Sequence, residues 1–118
     1  MLVPDDFTHS IADSTRLRIL VLLIQVDELC VCQLTGAIDV LQPKISRHLS
    51  ILRKKEILQY RREGLWVFYR LHPNLPIWAY KTLQALSSGC LSLQLYQDDL
   101  VRSQNAAACL PDEHPIKV

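Results

Sequence analysis

At 118 residues the chain fits a single domain, with a modest core and little margin for a stable monomer. Apolar residues make up 49% of it, which excludes a disordered chain and leaves apolar surface for a subunit interface. The formal charge of +1 excludes a uniformly basic or acidic protein.

No apolar run nears the roughly 20 residues of a membrane-spanning helix, and the longest, Ile19 to Ile24, reads as a buried helical segment. The N-terminus also lacks the basic start and apolar stretch of a secretory signal. A cytosolic location away from membranes is therefore expected, and with it four reduced thiols (Cys30, Cys32, Cys90 and Cys109) rather than a disulfide framework.

The charge is informative once divided by region. Gln42 to His72 holds eight Lys or Arg against two acids, a net of +6, while the rest holds five bases against ten acids, a net of −5. A basic stretch alone is most often a solvated face. A positive block inside an otherwise acidic protein is the footprint of a polyanion site, and nucleic acid is the usual occupant.

In chain order, Pro4 to Ala12 reads as a short helix with Phe7 and Ile11 on one face. Asp13, Ser14 and Thr15 are N-cap candidates for a second helix, apolar nearly all round from Leu17 to Ile24 and so placed mid-core. Asp27 and Glu28 put negative charge before a helix from about Val31 to Ile38, where it suits the macrodipole. Gly36 and Asp39 weaken that helix, and a turn over Asp39 to Leu41 leads to Gln42. Pro43 sits in a tolerated first-turn position, with Ile45, Leu49 and Leu52 at helical spacing behind it. The exposed face of this helix is expected to carry Gln42, Lys44, Ser46, Arg47 and His48.

Leu58, Tyr60, Trp66, Phe68 and Tyr69 then supply strand formers around Arg62-Glu63-Gly64, the pattern of a β-hairpin with Gly64 at its turn. Asn74, Leu75 and Pro76 open another helix, which Gly89 is expected to interrupt. Leu91 to Leu100 is apolar enough to pack, and Asp98-Asp99 reads as an N-cap. These elements predict a mainly α fold with a small β-hairpin, a winged helix-turn-helix. Its DNA-binding and dimerisation domain spans 1–102, and 103–118 forms a flexible tail.

A helix fits the major groove with its N-terminal side chains at base edges. Gln42 is expected to pair with adenine and Arg47 or Lys44 with guanine, with Ser46 and His48 as adaptable donors. Arg61 and Arg62 on the hairpin reach backbone or minor groove. One recognition helix reads few base pairs, so double-stranded operator DNA calls for two copies spaced by a helical turn.

Thiolate is the softest ligand a protein offers, so Cys30-Val31-Cys32 selects thiophilic ions. The plainer alternative is a pair of small core residues. A disulfide between them closes too short a loop to form without strain. Residues i and i+2 of a regular helix point to different faces, so both sulfurs hold one ion only where the backbone departs from helix. Chelation is then expected to reorient the start of the first helix of the DNA-binding pair and displace the second.

Glu28-Leu29-Cys30-Val31-Cys32, Gln42-Pro43-Lys44-Ile45-Ser46-Arg47-His48-Leu49 and Leu65-Trp66-Val67-Phe68-Tyr69-Arg70-Leu71, with Asp13-Ser14-Thr15-Arg16-Leu17, closely resemble the arsenical-resistance repressors of the ArsR/SmtB family. The resemblance spans about Phe7 to Ala85. It implies a homodimer joined through terminal helices on a palindromic operator, released when As(III) or Sb(III) binds Cys30 and Cys32. Glu-Leu-Cys-Val-Cys is also similar to cadmium and lead sensors of that family, so a cadmium-, lead- or redox-responsive repressor is the alternative. Trivalent arsenic prefers three sulfurs. The nearest pattern has a third cysteine where this chain has Thr35, leaving Cys109, Cys90, water or a small thiol as third ligand, with Cys109 preferred and Cys90 read as core. A terminal-helix zinc site is rejected, because no His lies between Asn74 and Leu110. An enzyme is disfavoured, since neither a phosphate loop nor an evident Cys–His pair appears. A winged helix serving only protein contacts would leave the charge pattern unexplained.

Overall fold

Capping and periodicity place the helices. In the computed structural model, which describes residues 1–105, the Asp13 side chain accepts from the Arg16 backbone N–H at 3.0 Å. That cap starts helix α2 (Ser14–Gln25), which follows α1 (Pro4–Ile11). Ile19, Leu20 and Leu22 of α2 are fully buried, and α2 packs against every other helix. The mid-core position expected for it is observed. Phe7 of α1 is also buried and meets the edge of Trp78 at 5.4 Å.

Next come β1 (Leu29–Cys30), α3 (Val31–Ile38), α4 (Gln42–Lys54), β2 (Leu58–Glu63), β3 (Trp66–Leu71), α5 (Ile77–Cys90) and α6 (Gln94–Gln104). Strands β2 and β3 form the expected hairpin, with Glu63 opposite Trp66. Gly64 opens the two-residue loop at φ 62°, a conformation glycine adopts without steric cost. The winged helix-turn-helix is thus present, and it carries one strand more than expected. β1 pairs antiparallel with β3, Cys30 opposite Phe68, so the sheet order is β1-β3-β2. Two residues are too few for strand alternation to register in sequence.

Two further expectations are corrected. Gly89 does not break α5, which continues to Cys90. A single glycine in the last turn costs a helix only about 1 kcal/mol, and burial of Leu83, Ser87 and Cys90 holds the turn. Asp98 and Asp99 lie inside α6, whose N-cap is Leu93. Helix α6 runs to Gln104, past the boundary drawn at 102. The remainder of the expected tail, Cys109 included, falls outside the described residues.

Helix α4 ends with Ile57 N–H on Leu52 C=O and Glu56 N–H on Arg53 C=O, both at 3.0 Å, the paired bonds of a Schellman cap. Glu56 occupies the left-handed position at φ 59°, where glycine is preferred. L-residues lose roughly 1–2 kcal/mol there, against about 0.5–1 kcal/mol of extra backbone entropy for glycine. Glu56→Gly is expected to raise stability by up to about 1 kcal/mol, read as a higher urea midpoint.

Candidate functional site

Helix α3, the turn from Asp39 to Leu41, and helix α4 form the helix-turn-helix. Asp39 caps α3 in the left-handed region (φ 61°, ψ 48°), which reverses the chain within three residues. Pro43 lies in the first turn of α4, and Ile45, Leu49 and Leu52 are fully buried beneath it. Lys44 and Arg47 are exposed, while Gln42 and Ser46 are half-buried. Four of the five side chains expected on this face are therefore available at it.

The fifth is turned inward. His48 is 4% exposed, three residues after Ile45 and so on the core stripe rather than the outer face. Its Nδ1 lies 3.1 Å from an Arg16 guanidinium nitrogen. A guanidinium only donates, so Nδ1 accepts and the neutral ring carries its proton on Nε2. Nε2 faces the Asp13 carboxylate at 3.9 Å without a hydrogen-bond partner. Burial, with Arg16, Arg47 and Lys44 nearby, holds the imidazole below its ordinary value although Asp13 opposes the shift. Asp13 itself is pushed up by burial, but the Arg16 backbone N–H, the nearby His48 ring and the Arg16 charge bring it below the usual range.

Because the fold resists protonation of His48, its contribution to stability is complete above the ordinary value of 6.5. It is lost progressively as pH falls below that value through the lower folded one. Melting curves from pH 7.5 to 5.5 are expected to drop more steeply for the parent than for His48→Gln. Parallel slopes would contradict a His48 that the fold holds neutral.

The wing separates the two arginines expected to act together, because consecutive strand residues point to opposite faces. Arg61 stacks on Phe68 at 4.5 Å and is held by Glu28 (2.6 and 2.8 Å) and Glu63 (2.8 Å). Arg62 is exposed on the other face. The pair with Arg61 brings Glu28 below the usual carboxylate range, and Glu28 thus ties the β1 approach to the wing. Leu41, 81% exposed at the N-cap of α4, and Leu65, exposed at the wing turn, are apolar residues on this face that charge and polarity do not single out. An apolar side chain at the entry of a recognition helix suits a thymine methyl group. The available signal was a leucine where a capping Ser or Asp is preferred.

Cys30 is the N-cap of α3, with φ −81° and ψ 165°. Cys30 therefore lies outside the regular helix, the departure that the i, i+2 spacing calls for, while Cys32 sits in the first turn. Cys30 Sγ accepts from the Gln33 N–H at 3.4 Å, and the Gln33 side-chain oxygen accepts from the Cys30 N–H at 2.9 Å, a capping box. The Cys30 thiol is 2% exposed and burial pushes it up, although backbone N–H groups partly oppose this. Cys32 is half-buried against the same core. Thr35 donates its hydroxyl to the Val31 carbonyl at 2.8 Å and is committed to the helix. Cys90 packs in a separate cluster with Val21 and Tyr96, as a core residue.

A family model for the "Bacterial regulatory protein, arsR family" matches residues 13–60. The chain is 43% identical over 105 residues to the arsenic resistance transcriptional regulator ArsR2 of Pseudomonas putida, covering 89% of this chain and 90% of the relative. It is 50% identical over 82 residues to the arsenical resistance operon repressor of Escherichia coli K12, 70% of each. The chain belongs to the ArsR family.

Among solved structures, this ArsR-family protein resembles HlyU from Vibrio cholerae (TM-score 0.65, 27% identity, 71% of this chain and 87% of that one). It also resembles the AntR antimony-specific transcriptional repressor (TM-score 0.61, 27% identity, 77% and 78%). The matched segment of this ArsR-family chain runs from the cap of α2 into β2, so it contains the cysteine pair and all of α4. The family and the Pseudomonas and Escherichia relatives are transcriptional regulators and not enzymes, and no helix among the described residues is long and apolar enough to cross a membrane.

Proposed function

We propose that this repressor binds operator DNA as a homodimer and releases it when As(III) or Sb(III) is taken up by Cys30 and Cys32, with Cys109 as third sulfur. The observation that carries the reading is the place of Cys30: its sulfur is the cap of the helix on which the recognition helix packs. Arsenic draws the Cys30 sulfur toward the second thiol and away from the Gln33 N–H that it now accepts from at 3.4 Å, so capture loosens the cap of α3. Loss of an N-cap weakens a helix by about 0.5–2 kcal/mol. Cys30 also pairs with Phe68 of β3, so its movement disturbs wing and helix together. The names of the arsenic and antimony relatives support the choice of inducer.

Gln42, Lys44, Ser46 and Arg47 are assigned to the major groove and Arg62 to the flanking backbone. Arg61 joins them only on leaving two carboxylates. Two copies supply two recognition helices, and Ile77 and Tyr80 on α5, with Leu95 and Val101 on α6, are exposed apolar residues suited to a terminal-helix interface.

The test is binding to the protein's own promoter DNA at rising salt. A dimer touching several phosphates loses about 10³–10⁵ in affinity between 50 and 200 mM salt. A salt-independent signal would count against DNA as partner. Competition among As(III), Sb(III), Cd(II) and peroxide for release then ranks the inducers.

A further inference from the structure

Asp99 is the one carboxylate among the described residues that is buried, at 1% exposure. A charge so placed needs directed partners. Arg18 of α2 grips both of its oxygens, Nε and a terminal nitrogen each at 2.8 Å. Arg102, on the next turn of α6, donates at 2.9 Å. Each guanidinium then uses a further donor on the backbone of α3: Arg18 on the Ile38 carbonyl and Arg102 on the Ala37 carbonyl, both at 2.7 Å.

Ala37 and Ile38 are the last two residues of α3, where helix carbonyls lack intrahelical donors and positive charge is favoured. Asp39, the left-handed hinge of the turn, comes next, and α4 begins at Gln42. Helix α6 also packs along α3. Apolar packing alone would fix the distance of α3 from its neighbours, whereas two guanidinium forks on successive carbonyls also fix the direction of its end.

We propose that Asp99 and Arg102 of the C-terminal helix, with Arg18, are positioning residues for operator recognition: they seat the end of α3 and, through the Asp39–Leu41 turn, set the angle at which α4 enters the groove. None of the three lies on α4 or the wing. The inference rests on operator binding by α4 and is independent of the inducer.

The test compares the parent with Arg102→Ala, Arg102→Lys and Asp99→Asn on one duplex, selected by the parent from a random pool. Binding is measured at several salt concentrations, at a temperature where circular dichroism shows each variant folded. Arg102→Ala keeps a good helix former at a half-exposed position, so it carries the test even where Asp99→Asn fails to fold. Its affinity is expected to fall by about 5- to 50-fold, within the usual range of coupling between separate sites. Its salt slope should equal the parent's, since no phosphate contact is lost. Arg102→Lys recovers part of the loss, because an ammonium lacks the fork that spans carboxylate and carbonyl. Parent-like affinity with a lowered melting temperature would overturn the proposal and reduce the cluster to a stabilising one. A salt slope shallower by about one would overturn it differently, by making Arg102 a phosphate contact. A parent that selects no duplex would refute operator binding and the inference together.

Discussion

Cys30→Ser and Cys32→Ser proteins are expected to bind operator within about threefold of the parent, a difference below 1 kcal/mol, and to stay bound in arsenite. Serine is a preferred N-cap, and its oxygen at position 30 still accepts from the Gln33 N–H that Cys30 Sγ accepts now. Helix α3 therefore keeps its start, and the turn into α4 is undisturbed. Lost is the soft donor: a hydroxyl does not replace a thiolate toward a thiophilic ion. The contrast with Cys30→Ala makes the prediction specific. Alanine removes both sulfur and cap, so it should lose the arsenite response and also about 0.5–2 kcal/mol of stability. Anisotropy titrations of all three variants, with and without arsenite, separate sensing from folding. Loss of operator binding in untreated Cys30→Ser would show that the cysteine grips the fold rather than senses.

Arg47→Ala is expected to lower affinity for the operator by about 5- to 150-fold, the equivalent of the 1–3 kcal/mol of a bidentate base contact, and to leave affinity for an unrelated duplex within about twofold to threefold. Arg47 is exposed on α4 while Ile45, Leu49 and Leu52 fill the core behind it, so its truncation leaves no cavity. Lys44→Ala, if Lys44 serves phosphate instead, weakens both duplexes alike and reduces the salt slope by about one. Parallel binding curves on the two DNAs decide between base reading and phosphate contact. Equal losses on both for Arg47→Ala would remove it from the specificity set.

Much of this architecture could be read from pattern. The apolar run of α2, the proline in the first turn of α4 and the glycine of the wing each act within a few residues, and each is where it was expected. What escaped depended on partners far along the chain. Strand β1 exists only because β3 lies beside it, 38 residues on at Cys30 and Phe68. Asp99 looked like a local cap until Arg18, 81 residues away, proved to be its counter-ion. His48 is a different case. Its spacing from Ile45 and Leu52 already placed it on the buried stripe, and its polarity argued for the surface. Arg16, 32 residues earlier, settles the conflict by supplying a donor inside. Adjacent Arg61 and Arg62 likewise sit on opposite faces of a strand, which alternation alone foretells. The cysteine pair was legible as chemistry but not as geometry. No periodicity announces that the first sulfur caps a helix and the second rides its first turn.

The most direct trial of a thiol-gated operator grip is a fluorescence-anisotropy titration of labelled promoter duplex with the parent protein, in a non-thiol reductant, with and without saturating arsenite. The account predicts tight, salt-sensitive binding that weakens by about 5- to 150-fold in arsenite, a coupling of roughly 1–3 kcal/mol. Superimposable curves from protein shown to have bound arsenite would contradict it.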